Sequence, residues 1–175
     1  YWSLFFLLTL MLVGVLARFL SQFIAEIAGG LVALWLLFCG FCFYFFRDPN
    51  PKVPTVSDVV VAPAHGKVDI IDEVDEPEFM GGKCRRVSIF LSIFNVHVQN
   101  APVAGTIGLC RYKAGRFINA MREDSAQHNE NVLIGINSSE REEEKLAVRL
   151  IAGLIARRIV VWTSLGESPK RGERI

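Results

Sequence analysis

The first 46 residues of this chain carry only two charges, Arg18 and Glu26, and every other charged residue follows Phe46. No water-exposed domain surface can be built from such a segment, so it belongs in lipid or under other protein. Trp2 to Ala17 is apolar and slightly short for a bilayer. Ile27 to Phe46 is an uncharged run of 20 residues, and about 20 residues cross a bilayer core as a helix. Residues 1–46 are therefore expected to form a membrane anchor of two apolar helices, a hairpin turning at Arg18. A single span plus an interfacial helix is the other arrangement. A signal peptide fits less well, because no basic stretch precedes the first run and no small-residue cleavage site follows it. Arg47 and Lys52 sit on the body side, so the positive-inside bias puts the body in the cytoplasm.

Pro49, Pro51 and Pro54 make residues 47–56 a stiff, extended linker that no helix can continue through. Beyond it, residues 57–175 read as one mainly β domain. Val59 to Ala62, Lys67 to Val74, Arg86 to Phe94, Val103 to Tyr112, Arg116 to Ala120 and Asn131 to Asn137 are expected strands, with another opening the Leu146 to Trp162 stretch. In Arg86 to Phe94, Val87, Ile89, Leu91 and Ile93 share one face, as the period of two requires. Short strands at this spacing argue for an antiparallel barrel or sandwich. The tail from Leu165 to Arg174 reads as a turn leading toward a further strand.

The net charge of +1 gives no nucleic-acid footprint. Four cysteines form no secreted disulfide framework. Cys39 and Cys42 read as small residues at a helix contact rather than a redox pair, and Cys84 and Cys110 as isolated thiols. There is no GxSxG elbow and no Gly-rich phosphate loop. The three histidines, His65, His97 and His128, have none of the HxH or HExxH spacings of a zinc site, so no metal is expected. His97 stands out because Asn95, Gln99 and Asn100 cluster with it at the end of an apolar strand. Four polar side chains there are more readily satisfied at a site than in a core. Arg157 and Arg158 form a basic pair that either meets a lipid phosphate or is simply solvated.

Six segments in order carry a resemblance: Phe45-Phe-Arg-Asp-Pro49, Pro63-Ala-His-Gly-Lys-Val68, Ser92-Ile-Phe-Asn-Val-His-Val98, Ala101-Pro-Val-Ala-Gly105, Tyr112-Lys-Ala-Gly-Arg-Phe117 and Ile151-Ala-Gly-Leu-Ile-Ala-Arg-Arg-Ile159. Together they resemble the short bacterial type of phosphatidylserine decarboxylase. The resemblance implies a proenzyme that cuts itself between Gly and Ser, leaving a pyruvoyl group on a small α chain. That ketone is the electron sink for decarboxylation of membrane phosphatidylserine to phosphatidylethanolamine. It implies His97 as the base in self-cleavage and as a proton donor after CO₂ leaves, and Asn95, Arg157 and Arg158 as substrate-binding residues. His65 stands where the family's motif has aspartate, so the catalytic pair is His97 and His65 with the carboxylate's charge missing. No Gly-Ser occurs in the chain. The expected reading is therefore the large β-chain region, incomplete at its C-terminus, with the pyruvoyl beyond Ile175 and no activity in this chain alone. Phosphatidylserine and the small chain are the implied partners, the inner membrane the implied location, and a homo-oligomer is left open. Two alternatives remain: a non-catalytic phospholipid-binding relative impaired in self-processing by His65, and a metal-dependent hydrolase using the histidines.

Overall fold

The computed structural model describes residues 2–56, 59–119, 122, 125–141 and 143–175. It divides into two units, residues 1–44 and 45–175.

The first unit is one helix, α1, Trp2–Phe45, 44 residues long. The expected hairpin is corrected here: helix continues through Arg18 and Glu26. The stretch between them, Phe-Leu-Ser-Gln-Phe-Ile-Ala, contains neither proline nor glycine to break it. Its polar side chains do not disturb it either. The Thr9 hydroxyl donates to the Phe6 carbonyl at 2.8 Å and that of Ser21 to Arg18 at 2.9 Å, so these hydroxyls are satisfied by the helix itself. At 1.5 Å per residue α1 is about 66 Å long, roughly twice a bilayer core. By length and composition it is apolar enough to cross a membrane, its most apolar 18-residue window having a mean hydropathy of 2.3. None of its residues is buried.

The second unit is antiparallel β, as the alternation predicts, but it is neither a closed barrel nor a sandwich. Strands β1 (Lys67–Glu76) and β2 (Gly82–Phe90) pair as one two-stranded sheet; β3 (Gly105–Lys113), β4 (Asn131–Ser138) and β5 (Lys145–Ile151) form a second. Between β3 and β4 lies a single helical turn, α2, Ser125–His128. Two of the expected strands make no ladder. Val59 to Ala62 contributes one bond, Val61 N–H to the Pro102 carbonyl. Arg116 makes an isolated bridge with Asn129. The expected boundaries at Ser57 and Ala120 lie outside the described residues.

The core lies on one face of β3–β4–β5. Val132, Ile134 and Ile136 of β4 pack with Ile107, Val148 and Leu150, and the layer above them is irregular chain: Ala101, Val103, Ile159, Val161 and Ile175. Coil rather than a second sheet therefore covers this face, which is why no sandwich forms. The tail is held there by main-chain bonds, Ile107 N–H to Glu167 at 2.8 Å and Ala101 N–H to Glu173 at 2.7 Å. On the other face of β4, a Cβ built on Gly135 would lie 2.5 Å from the Phe79 ring. Only glycine leaves room for that ring, which comes from the β1–β2 turn. The turn is fixed by Glu76, whose carboxylate accepts the N–H groups of Glu78, Phe79 and Met80 at 3.1, 2.9 and 2.8 Å.

Candidate active site

β2 stops at Phe90 instead of running to Phe94, and the cause is Asn95. Its Oδ1 accepts the Ser92 N–H at 2.8 Å and the Ser92 hydroxyl at 2.7 Å, while its own N–H donates to the Ser92 carbonyl at 2.9 Å. This side-chain back-bond, across a turn closed by the Asn95 N–H, takes the backbone out of the ladder. The chain then straightens through Val96 to Pro102 between two neighbours. On one side His65 bridges Val96, the Asn100 N–H donates to Pro63, and Val61 donates to Pro102. On the other side Asn100 bridges Arg174, and the Ile175 N–H donates to Gln99 at 3.2 Å. His97 thus lies on the middle one of three extended segments. The antiparallel pairing makes the chain at Ile175 run toward it.

The half-buried His97 ring is held by two contacts. Phe45 stacks on it with centroids 4.2 Å apart and planes at 30°. Nδ1 lies 3.0 Å from the Asn95 carbonyl. A carbonyl can only accept, so Nδ1 carries the proton in the neutral ring and Nε2 holds the free lone pair. Burial pushes the imidazole below its ordinary value of 6.5; the Asn95 carbonyl partly offsets this, and the charge of Arg47 adds to the lowering. Arg47 is placed by its bond to the Phe94 carbonyl at 2.7 Å. The arrangement is a neutral base with a fixed tautomer, suited to taking a proton at Nε2 and returning it.

The other sequence-selected residues divide. Asn95 is at the site, but its Oδ1 is committed to Ser92, which leaves the amide NH₂ as its outward donor. His65 is exposed, and among the described residues no hydrogen bond joins it to His97; the partner of Nδ1 is a main-chain carbonyl. Arg157 and Arg158 are elsewhere on the unit. Arg157 donates to the Leu154 carbonyl at 2.8 Å and lies over the Phe117 ring at 5.7 Å. Neither arginine hydrogen-bonds or ion-pairs with His97, Asn95 or His65 among the described residues. His128 uses its carbonyl to receive the Arg116 N–H. Among the described residues, no three His, Cys, Asp or Glu side chains gather as a metal site.

Sequence reasoning missed Phe45, which stacks on His97, and Arg47, whose charge adds to the lowering of its ionisation. Their only signal was that they belong to one of the resembling segments. A cavity of about 420 Å³ lies apart from all of these, lined by Arg86, Arg111, Lys113, Arg149, Glu78 and Tyr112 among others. Two of its cations are already countered, Arg86 by Asp72 and Arg111 by Glu78 at 3.0 Å.

Residues 38–175 match the family model described as phosphatidylserine decarboxylase. The phosphatidylserine decarboxylase proenzyme of Desulfotalea psychrophila is 39% identical over 145 residues, covering 83% of this chain and 67% of that protein. That of Symbiobacterium thermophilum is 37% identical over 165 residues, 94% of this chain and 73% of its own length. That of Rhodopirellula baltica is 37% identical over 163 residues, 91% and 67%.

Proposed function

The chain belongs to the phosphatidylserine decarboxylase family, and from that premise we propose that residues 47–175 are the large-chain body of a pyruvoyl-dependent lyase working at a membrane. The reaction is decarboxylation of phosphatidylserine to phosphatidylethanolamine. The observation that carries the assignment of roles is the fixed tautomer of His97, with Nδ1 donating to the Asn95 carbonyl and Nε2 free.

The site suits the cofactor by its register. Asn100 faces Arg174 and Gln99 receives the Ile175 N–H, so a chain continuing in that pairing passes Val98 and then His97. His97 would be the residue nearest a group carried on such a continuation. When present, the pyruvoyl group would supply a carbonyl electron sink for the electron pair left behind as CO₂ departs. The protein's own residues do the rest. In self-cleavage, His97 Nε2 takes the proton of the attacking serine hydroxyl. In turnover the same nitrogen delivers a proton to the carbon that lost CO₂. The Asn95 carbonyl holds the ring in place, a dipole standing where an aspartate stands in a Ser–His–Asp set. The Asn95 amide is available to the substrate head group. His65, on the neighbouring segment, brings no carboxylate charge to the His97 imidazolium. Arg157 and Arg158 take lipid phosphates. The apolar helix attaches the body to the inner membrane with the site on the cytoplasmic side, and the processed small chain is the covalently derived partner.

The test is direct. A proenzyme carrying this region is purified in detergent, its self-cleavage is followed on a denaturing gel, and phosphatidylserine micelles are added. Phosphatidylethanolamine appears by mass spectrometry, and His97→Ala abolishes it. A self-cleaved protein that forms no phosphatidylethanolamine sinks the reading.

A further inference from the structure

Just past β5 the chain makes a tight loop whose tip has the wrong residues for water. The Gly153 N–H donates to the Ala156 carbonyl at 2.9 Å, closing the loop around Leu154 and Ile155. Tips of this size ordinarily use Gly, Asn, Asp or Ser. Here they are two large aliphatic side chains, 49% and 64% exposed. After Ala156, Arg157 and Arg158 are also exposed. Arg157 is braced, its Nε donating to the Leu154 carbonyl and its guanidinium lying over Phe117. Further along the same irregular segment Val160, Trp162 and Leu165 are 54%, 65% and 68% exposed, with Arg174, itself paired to Asp48, over the Trp162 ring at 5.6 Å. Apolar surface of this extent normally marks a contact.

We propose that the Leu154–Ile155 tip inserts into the head-group layer of an anionic bilayer, with Arg157 and Arg158 on lipid phosphates. The choice of occupant follows from charge. A protein partner would cover Leu154 and Ile155 equally well, but it gives no reason for two adjacent exposed arginines beside the tip. A bilayer with anionic head groups does. A tryptophan flanked by a cation is a residue of the same membrane–water boundary. The proposal rests on the phospholipid reading only in taking a bilayer as the surface, and it needs no chemistry at His97.

The experiment is amide hydrogen exchange on the full chain in three settings: detergent, neutral phosphatidylcholine nanodiscs, and nanodiscs with about one-third phosphatidylglycerol. None contains phosphatidylserine, so failure of the decarboxylase reading leaves this result standing, and the reverse. Exchange of the 153–158 peptide should slow at least tenfold in the anionic discs, and not in the other two. Arg157→Gln with Arg158→Gln should return it to the neutral-disc rate, as should Leu154→Asn with Ile155→Asn. Equal exchange in all three settings overturns the proposal. Slow exchange already in detergent overturns it in favour of a protein contact. Equal slowing in neutral and anionic discs overturns the role of the arginines.

Discussion

Asn129 should be the most stability-sensitive polar residue near this loop. It is 1% exposed. Its Oδ1 accepts the Ile118 N–H at 2.8 Å, and its Nδ2 donates to the carbonyls of Ile118 at 2.9 Å and Ala152 at 2.8 Å. One side chain thereby ties the segment after β3 to the residue from which the Leu154–Ile155 loop departs. Asn129→Ala removes three hydrogen bonds and strands their partners. At about 1 kcal/mol each, the loss is about 3 kcal/mol, against a total of about 5–15 kcal/mol for a domain. For a body of this size that lowers the melting temperature by roughly 10 °C. Asn129→Asp keeps the shape but turns an oxygen toward two carbonyl oxygens. It should be at least as destabilising at pH 7 and should recover in part as the carboxyl protonates in acid. The assay is thermal unfolding in mild detergent, followed by tryptophan fluorescence, for the three proteins. An alanine variant within about 1 kcal/mol of the parent refutes the bookkeeping. An aspartate variant as stable as the parent at pH 7 refutes the assignment of the amide orientation.

On the proposed roles the neutral imidazole of His97 is the base, so its lowered ionisation should put the acid limb of self-cleavage below pH 6.5. Phe45→Ala, by hydrating the ring, and Arg47→Gln, by removing a like charge, should both move that limb upward, the first by more; a limb that stays put excludes them as its cause. In an extended proenzyme with a Gly-Ser after Ile175, His65→Asp should speed cleavage by giving the imidazolium a carboxylate, and His97→Ala should abolish it. Identical gel time courses for the parent and its His65→Asp variant would remove that position from the chemistry. Burial pushes the Glu76 carboxyl up, but the N–H groups of Met80, Phe79 and Glu78, with Arg149, bring it below 4.5 overall. Its stabilisation is therefore complete above pH 4.5 and is lost as pH falls through the lower folded value. Glu76→Gln should cost about 2 kcal/mol at neutral pH and flatten that acid-side loss, read by urea unfolding from acid to neutral pH. Deleting residues 2–46 should release the protein from membranes in a high-salt wash; retention would place the anchor elsewhere.

What could be read from the sequence alone was what neighbouring residues settle between themselves. The change at Phe46 from uncharged to charged chain is compositional and is visible without any structure. Short β-prone runs bounded by turn residues locate β1, β4 and β5. His97 was legible as a cluster of polar side chains at the end of an apolar run. The tertiary structure decided what depends on distant partners. Whether Arg18 to Glu26 turns or stays helical is not fixed by a breaker, and the helix ran on. β2 was cut at Phe90 by an asparagine that bonds back to Ser92. The core face of β3–β4–β5 found its cover in coil from 101–103 and 159–175, segments with no periodicity to announce them. The group that fixes the His97 tautomer is a main-chain carbonyl, which every residue possesses, so no residue type could have signalled it. The stacking of Phe45 on His97 joins positions far apart in sequence, and only the folded chain brings them into contact.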